Sequence, residues 1–172
     1  MKKHIVLVGL PGAGKSTVGK LVAERLGADF VDCDSIIVRK MQMPVSRIFA
    51  EHGETKFREL ERQAMEAALG RPPAVIAPGG GWIAQPGALE ATQAASMIIY
   101  LKTMVTTAVK RAEASGIRPL LATEDPAERM RTLLKEREPY YVKADVEVKA
   151  DLKSAAQLAE DIVALAKDRA GW

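Results

Sequence analysis

Apolar residues run unbroken over 5–8 and nearly so over 97–101, and shorter apolar stretches cover 30–31, 75–77 and 146–148. Runs of this length read as strands, and a continuous apolar run, with no polar face, is expected where helices cover both sides of a parallel sheet. Between them lie segments with apolar residues at helical spacing, near 15–26, 34–41, 45–52, 54–69, 87–94, 104–114, 126–137 and 154–168. The alternation predicts a doubly wound α/β domain with a central parallel sheet of five strands. The helical pattern fails over 114–126, where one glycine and two prolines interrupt it. That segment reads as a long loop, and the expectation is a mobile lid at about 115–124.

A length of 172 residues fits one domain over 1–172, with 48% hydrophobic and 27% charged residues and no internal repeat. No apolar run approaches the roughly 20 residues of a membrane span, so no membrane partner is expected. The net charge of +3 is spread without a basic block, which argues against nucleic acid and for a small anion as ligand. The single cysteine, Cys33, excludes an internal disulfide and suits a reducing, cytoplasmic setting. His4 and His52 belong to no ligand pattern and receive no chemistry.

The strongest chemical signal follows the first strand. Gly9, Gly14, Lys15 and Ser16 fit the pattern G-x-x-x-x-G-K-[ST] and open a helix, the context that makes this phosphate-binding loop credible. Its backbone from Gly12 through Ala13 and Gly14 to Thr17 is expected to curl around phosphate oxygens at a helix N-terminus. Lys15 is expected to reach the β and γ phosphates and the Ser16 hydroxyl to ligate Mg²⁺, which makes ATP and Mg²⁺ the expected cofactors. The chain contains no asparagine, so it lacks the Asn-Lys-x-Asp signature of guanine-reading switches. Its acidic pair, Asp32 and Asp34, follows the second strand and lies on one side of the chain if the backbone stays extended. As an alternative, Asp34 could cap the helix that follows.

Taken in order, the motifs resemble a known family. They are the phosphate loop, Asp32 with Asp34, Ile48 and Phe49 followed by Gly53, Glu54, Phe57, Arg58 and Glu61, the triplet Gly79, Gly80 and Gly81, then Arg118 to Leu121, and Arg137 to Tyr140. Together they resemble the shikimate kinases, small P-loop kinases that phosphorylate the 3-hydroxyl of shikimate with MgATP. The resemblance implies a P-loop kinase fold with a mobile lid, a monomer, and shikimate as the small-molecule hydroxy-acid partner. It implies that Asp34, Arg58, Gly79, Gly80, Gly81 and Arg137 bind the acceptor, with both arginines on its carboxylate. It implies further that Arg118 closes over the transferring phosphoryl group, that Arg111 packs near adenine, that Asp32 reaches Mg²⁺ through water, and that Lys15, Asp34 and Arg118 are catalytic. Val45, Phe49, Phe57 and Pro119 would form an apolar wall.

Residue chemistry gives partial independent support. Arg58 and Glu61 are three apart on one helix, so the carboxylate can hold the guanidinium in place. Arg137 precedes Glu138 and Pro139, and the proline is expected to end the helix and expose that turn. The chain departs from the family's usual threonine before the triplet and small residue after it, having Pro78 and Trp82. Trp82 is expected beside the acceptor pocket, and Trp172 at the chain end is expected to be mobile. Two alternatives remain at this level: a related kinase for another polyol or sugar acid such as gluconate, and a non-catalytic ligand-sensing domain of the same type.

Overall fold

The computed structural model describes residues 1–114 and 125–172. A parallel five-stranded sheet has the order β2-β3-β1-β4-β5, formed by β1 (His4–Val8), β2 (Phe30–Asp32), β3 (Val75–Ala77), β4 (Ser96–Lys102) and β5 (Val146–Lys149). The central strand β1 pairs with β3 and β4, bringing Val6 opposite both Ile76 and Ile98. The helices are α1 (Lys15–Leu26), α2 (Cys33–Met41), α3 (Val45–Leu69), α4 (Ala88–Ala95), α5 (Val105–Ala114), α6 (Pro126–Tyr141) and α7 (Ala155–Arg169).

The unbroken apolar strands have a direct cause. Successive strand side chains point to opposite faces, so each face needs its own apolar partner layer. Ile5 and Leu7 of β1, with Met97, Ile99 and Leu101 of β4, pack in a core with Val18 and Val22 of α1 and Ile162 of α7. Val6 and Val8, with Ile98 and Tyr100, enter a second core with Ile37, Met65, Met130 and Leu133 from α2, α3 and α6.

The two helices expected at 45–52 and 54–69 are halves of α3, which breaks at Gly53 (φ 81°, ψ 167°), a backbone region open in practice to glycine alone. α6 does not stop at Arg137 but runs through Pro139 to Tyr141. Proline lacks an N–H donor and crowds the carbonyl one turn back, but its fixed φ is helical, and a last turn that seats the buried Tyr141 ring persists. Trp172 is not a loose end either: its indole N–H donates to the Lys3 carbonyl at 2.9 Å and its ring lies 4.7 Å beneath the Lys2 ammonium.

At the N-terminal edge of the sheet the buried His4 ring accepts from the Ala74 N–H at Nδ1 (3.1 Å) and donates from Nε2 to the Leu69 carbonyl (3.1 Å). At the C-terminal edge the chain leaves β1, β2 and β3 into the phosphate loop, the acidic pair and the glycine triplet. Open α/β sheets bind ligands at this edge.

Candidate active site

Phosphate chemistry begins at the turn between β1 and α1. Gly12 (φ 81°) and Gly14 (φ 94°) carry the loop through left-handed conformations. Gly14 caps α1 without any side-chain hydrogen bond, and the first turn of the helix itself has no acidic residue to offset its positive end. Lys15 donates from Nζ to the carbonyls of Gly9 (2.8 Å) and Leu10 (2.9 Å). Burial lowers the ammonium from its ordinary value to about 8, while Asp34 pulls upward and Arg137 adds to the fall.

Asp32 and Asp34 are not strand neighbours on one face, because α2 begins at Cys33, between them. Asp32 is the helix cap: its Oδ1 accepts from the Ser35 N–H at 3.2 Å and its Oδ2 from the Ser16 hydroxyl at 2.9 Å. That leaves Asp34 in the first turn of α2, its Oδ1 buried and without a hydrogen-bond partner among the described residues. Loss of water raises its carboxyl pKa, with Asp32 adding to the rise, against the pull of Lys15, Arg58 and Arg137.

The triplet explains itself through its neighbours. A β-carbon on Gly79 would lie 2.9 Å from Asp34 Oδ1, one on Gly80 would lie 2.8 Å from Arg137 Nη1, and one on Gly81 would lie 2.9 Å from Arg58 Nη1 and 3.1 Å from Arg137 Nη2. Four charged side chains, with Glu61 Oε2 3.2 Å from the Gly79 position, close on one short backbone segment, and any side chain there would displace them.

Arg58 is held from its own helix, with Nη1 3.0 Å from Glu61 Oε2 and Nη2 3.5 Å from Glu54. Glu61 is fully buried, and burial raises its carboxyl to about 7 against the opposing pull of Arg58. Arg137 is 8% exposed rather than displayed on a surface turn, because α6 continues past it into the core. Arg58 Nε and Arg137 Nη1 are both buried without partners among the described residues. With Asp34 Oδ1, they supply three of the six buried side-chain polar atoms left in that state. Buried polar groups are normally paired, so such a concentration marks a place awaiting a ligand.

A cleft of about 670 Å³ runs past Gly12, Lys15, Ser16, Asp32, Asp34 and Gly80. A smaller cavity of about 210 Å³ flanks the phosphate loop between Ala13, Thr17, Arg111 and Lys153.

A sequence model of the shikimate kinase family matches residues 11–167. The chain belongs to the shikimate kinase family. It is 42% identical to a shikimate kinase of Mycobacterium avium over 84% of this chain and 81% of that one. It is 40% identical to a shikimate kinase of Caldanaerobacter subterraneus over 94% of each chain. Among solved structures, a shikimate kinase from Acinetobacter baumannii in complex with shikimate superposes with a TM-score of 0.92, at 36% identity over 98% of this chain and 94% of that one. A gluconokinase from Sinorhizobium meliloti, 18% identical with a TM-score of 0.66, shares the fold alone.

Of the shikimate kinase residues expected from sequence, Gly12, Gly14, Lys15, Ser16, Thr17, Asp32, Asp34, Gly80 and Arg111 line the main cleft. Arg58, Gly79, Gly81 and Arg137 join through the contacts around the triplet. Ala13 packs its side chain in the core and gives its N–H to the Leu10 carbonyl, so it serves the loop's shape. Val45 lines the cleft, and Phe49 and Phe57 stack beside it with ring centroids 4.6 Å apart. Arg118, Pro119 and the expected lid lie outside the described residues. Trp82 is buried, with its indole N–H on the Thr92 hydroxyl at 3.1 Å, so it braces the segment after the triplet from the core. Sequence reasoning missed Lys153, which reaches the smaller cavity from the β5–α7 loop, and Tyr141, whose hydroxyl bonds a carbonyl of the phosphate loop and one of the glycine triplet. Neither lies in a local motif.

Proposed function

We propose that this protein transfers the γ-phosphoryl group of ATP to the 3-hydroxyl of shikimate, with the acceptor held by Asp34, Arg58, Arg137 and the backbone of Gly79 to Gly81. The observation that carries this reading is the set of atoms around the triplet that are unpartnered among the described residues, one anionic oxygen and two guanidinium nitrogens. Guanidinium groups match a carboxylate by charge and planar geometry, and an anionic oxygen matches hydroxyls. A carboxylated polyol has both.

ATP phosphates would take the α1 N-terminus and draw Lys15 from the Gly9 and Leu10 carbonyls. Arg111, with the smaller cavity, would receive the base. Ser16 and Asp32 fit Mg²⁺, because they put a hydroxyl and a carboxylate oxygen within 2.9 Å of each other, and this ion binds through one or two protein oxygens plus phosphates and water. Such an ion would neutralise charge on the phosphates.

Phosphoryl transfer depends mainly on positioning and charge. Asp34 would accept a hydrogen bond from the acceptor hydroxyl, and its raised pKa lets it receive the proton as the oxygen attacks. Lys15 would follow the charge that develops across the phosphates. Arg118 is proposed to supply further positive charge over the phosphoryl group. We read the chain as one monomeric kinase domain acting in the cytoplasm.

The test is ADP release with ATP, Mg²⁺ and a panel of hydroxy acids. Shikimate is expected to support turnover and gluconate to fail. Turnover with gluconate but not shikimate would overturn the acceptor assignment.

A further inference from the structure

We propose that the Tyr141 hydroxyl is a positioning group that couples nucleotide binding to acceptor binding, by sharing its proton between a carbonyl of the phosphate loop and a carbonyl of the glycine triplet. The inference rests on the function proposed above, because it takes these two loops as the seats of the two substrates.

Tyr141 ends α6 as a fully buried ring packed on Tyr100, with centroids 5.0 Å apart. Its hydroxyl lies 2.7 Å from the Gly80 carbonyl and 3.2 Å from the Gly9 carbonyl. Neither carbonyl can donate, so one hydroxyl proton serves two acceptors. The shorter distance gives Gly80 the larger share. Burial raises the phenol pKa, which keeps the proton in place across the working pH range.

The Gly9 carbonyl has a second donor, the Lys15 ammonium at 2.8 Å. That donor is the group nucleotide phosphates are proposed to draw away. Once Lys15 leaves, the Gly9 carbonyl needs a replacement, since an unpaired buried carbonyl is costly. The Tyr141 proton is within reach, and its movement toward Gly9 weakens its hold on Gly80. Gly80 lies against Arg137, one helical turn before Tyr141 on the same helix. An acceptor bound there holds the triplet through its own contacts, so the bond from Tyr141 to Gly80 is no longer needed. Each substrate thereby lowers the cost of binding the other, which is positive coupling.

The variant Tyr141→Phe removes the proton and keeps the ring. Calorimetry with the β,γ-imido analogue of ATP, with and without shikimate, gives the ratio of the two nucleotide Kd values. That ratio should exceed one in the unsubstituted protein and fall about 5-fold toward one in Tyr141→Phe, the effect of one ordinary buried hydrogen bond. Affinity for the nucleotide alone should be preserved, and kcat should fall more than KM rises for the first substrate bound. Tyr100→Phe is the control for general loosening of α6, because it loses the 2.8 Å bond to Glu138 and touches neither loop. It should lower thermal stability and leave the ratio intact. A ratio of one in the unsubstituted protein, an unchanged ratio in Tyr141→Phe, or an equal fall in Tyr100→Phe would each overturn the coupling role. If the unsubstituted protein turns over with shikimate while any of these holds, this inference alone fails. Absence of turnover with shikimate would overturn the proposed function and this inference with it.

Discussion

Buried polar side chains sit at both edges of the sheet, and they are in opposite states. At the N-terminal edge His4 uses both ring nitrogens, tying β1 to the end of α3 and to the start of β3. At the C-terminal edge Asp34, Arg58 and Arg137 each keep a buried atom unpaired among the described residues, packed closely against the glycine triplet. Burying a polar group is tolerable when its bonds are complete, as they are around His4. A cluster of mixed charge whose protein bonds are incomplete is suited instead to binding a ligand. The difference separates a residue that holds the fold together from residues proposed to bind the acceptor, even though each of them buries polar atoms.

The comparison breaks if activity and stability do not separate along it. The largest separation is expected at Lys15. Lys15→Met should lower kcat by about a hundredfold or more, as for loss of a charge aimed at the transition state, with a smaller effect on acceptor affinity. Its thermal stability at pH 7 should stay level or rise. Burial lowers this lysine to about 8, so the folded state carries a costly charge below pH 8 and sheds it as pH rises. Near-normal turnover, or a large loss of stability, would contradict the assignment.

A pH profile sharpens the same point with the unsubstituted protein. Above pH 8 the free enzyme loses the Lys15 charge, so kcat/KM for ATP should fall by about tenfold per pH unit. A flat profile between pH 8 and 9.5 would mean that the ammonium is not needed for capture of the nucleotide.

The smallest effect on activity is expected at the other edge. His4→Leu orphans the Ala74 N–H and the Leu69 carbonyl, at about 1 to 3 kcal/mol of stability for each group left unpaired. Urea unfolding should report that loss while kcat and both KM values change by less than about twofold, as for a site remote from the chemistry. A variant as stable as the original, or one with impaired catalysis at full stability, would remove the contrast.

How much of this could be read from the chain follows from the range of each interaction. Alternation and apolar runs are local, so all five strands were expected within a residue or so of where they lie, and so was the break at Gly53. The phosphate loop is contiguous and equally legible. The nearness of Asp32 and Asp34 is legible, but their different positions are hidden by one step of backbone geometry: α2 starts at Cys33 and makes Asp32 the cap. Pro139 looked like a terminator, although α6 needs only the turn beyond it to seat Tyr141. His4 drew no interest as a lone histidine, since its partners are 65 and 70 residues away. Tyr141 reaches Gly9 across 132 residues, a relation that no local pattern encodes.

The claim that the unpaired atoms await the acceptor's carboxylate and hydroxyls is tested most directly by measuring kcat/KM for shikimate and for its analogue with the carboxylate reduced to an alcohol, each with the unsubstituted protein and with Arg137→Leu. The unsubstituted protein should prefer shikimate by about 30-fold to several thousand-fold, the equivalent of roughly 2 to 5 kcal/mol for breaking a buried charge pair. Arg137→Leu should lose most of that preference by harming shikimate and sparing the alcohol. Equal use of both compounds by the unsubstituted protein, or equal harm to both in the variant, would contradict the account.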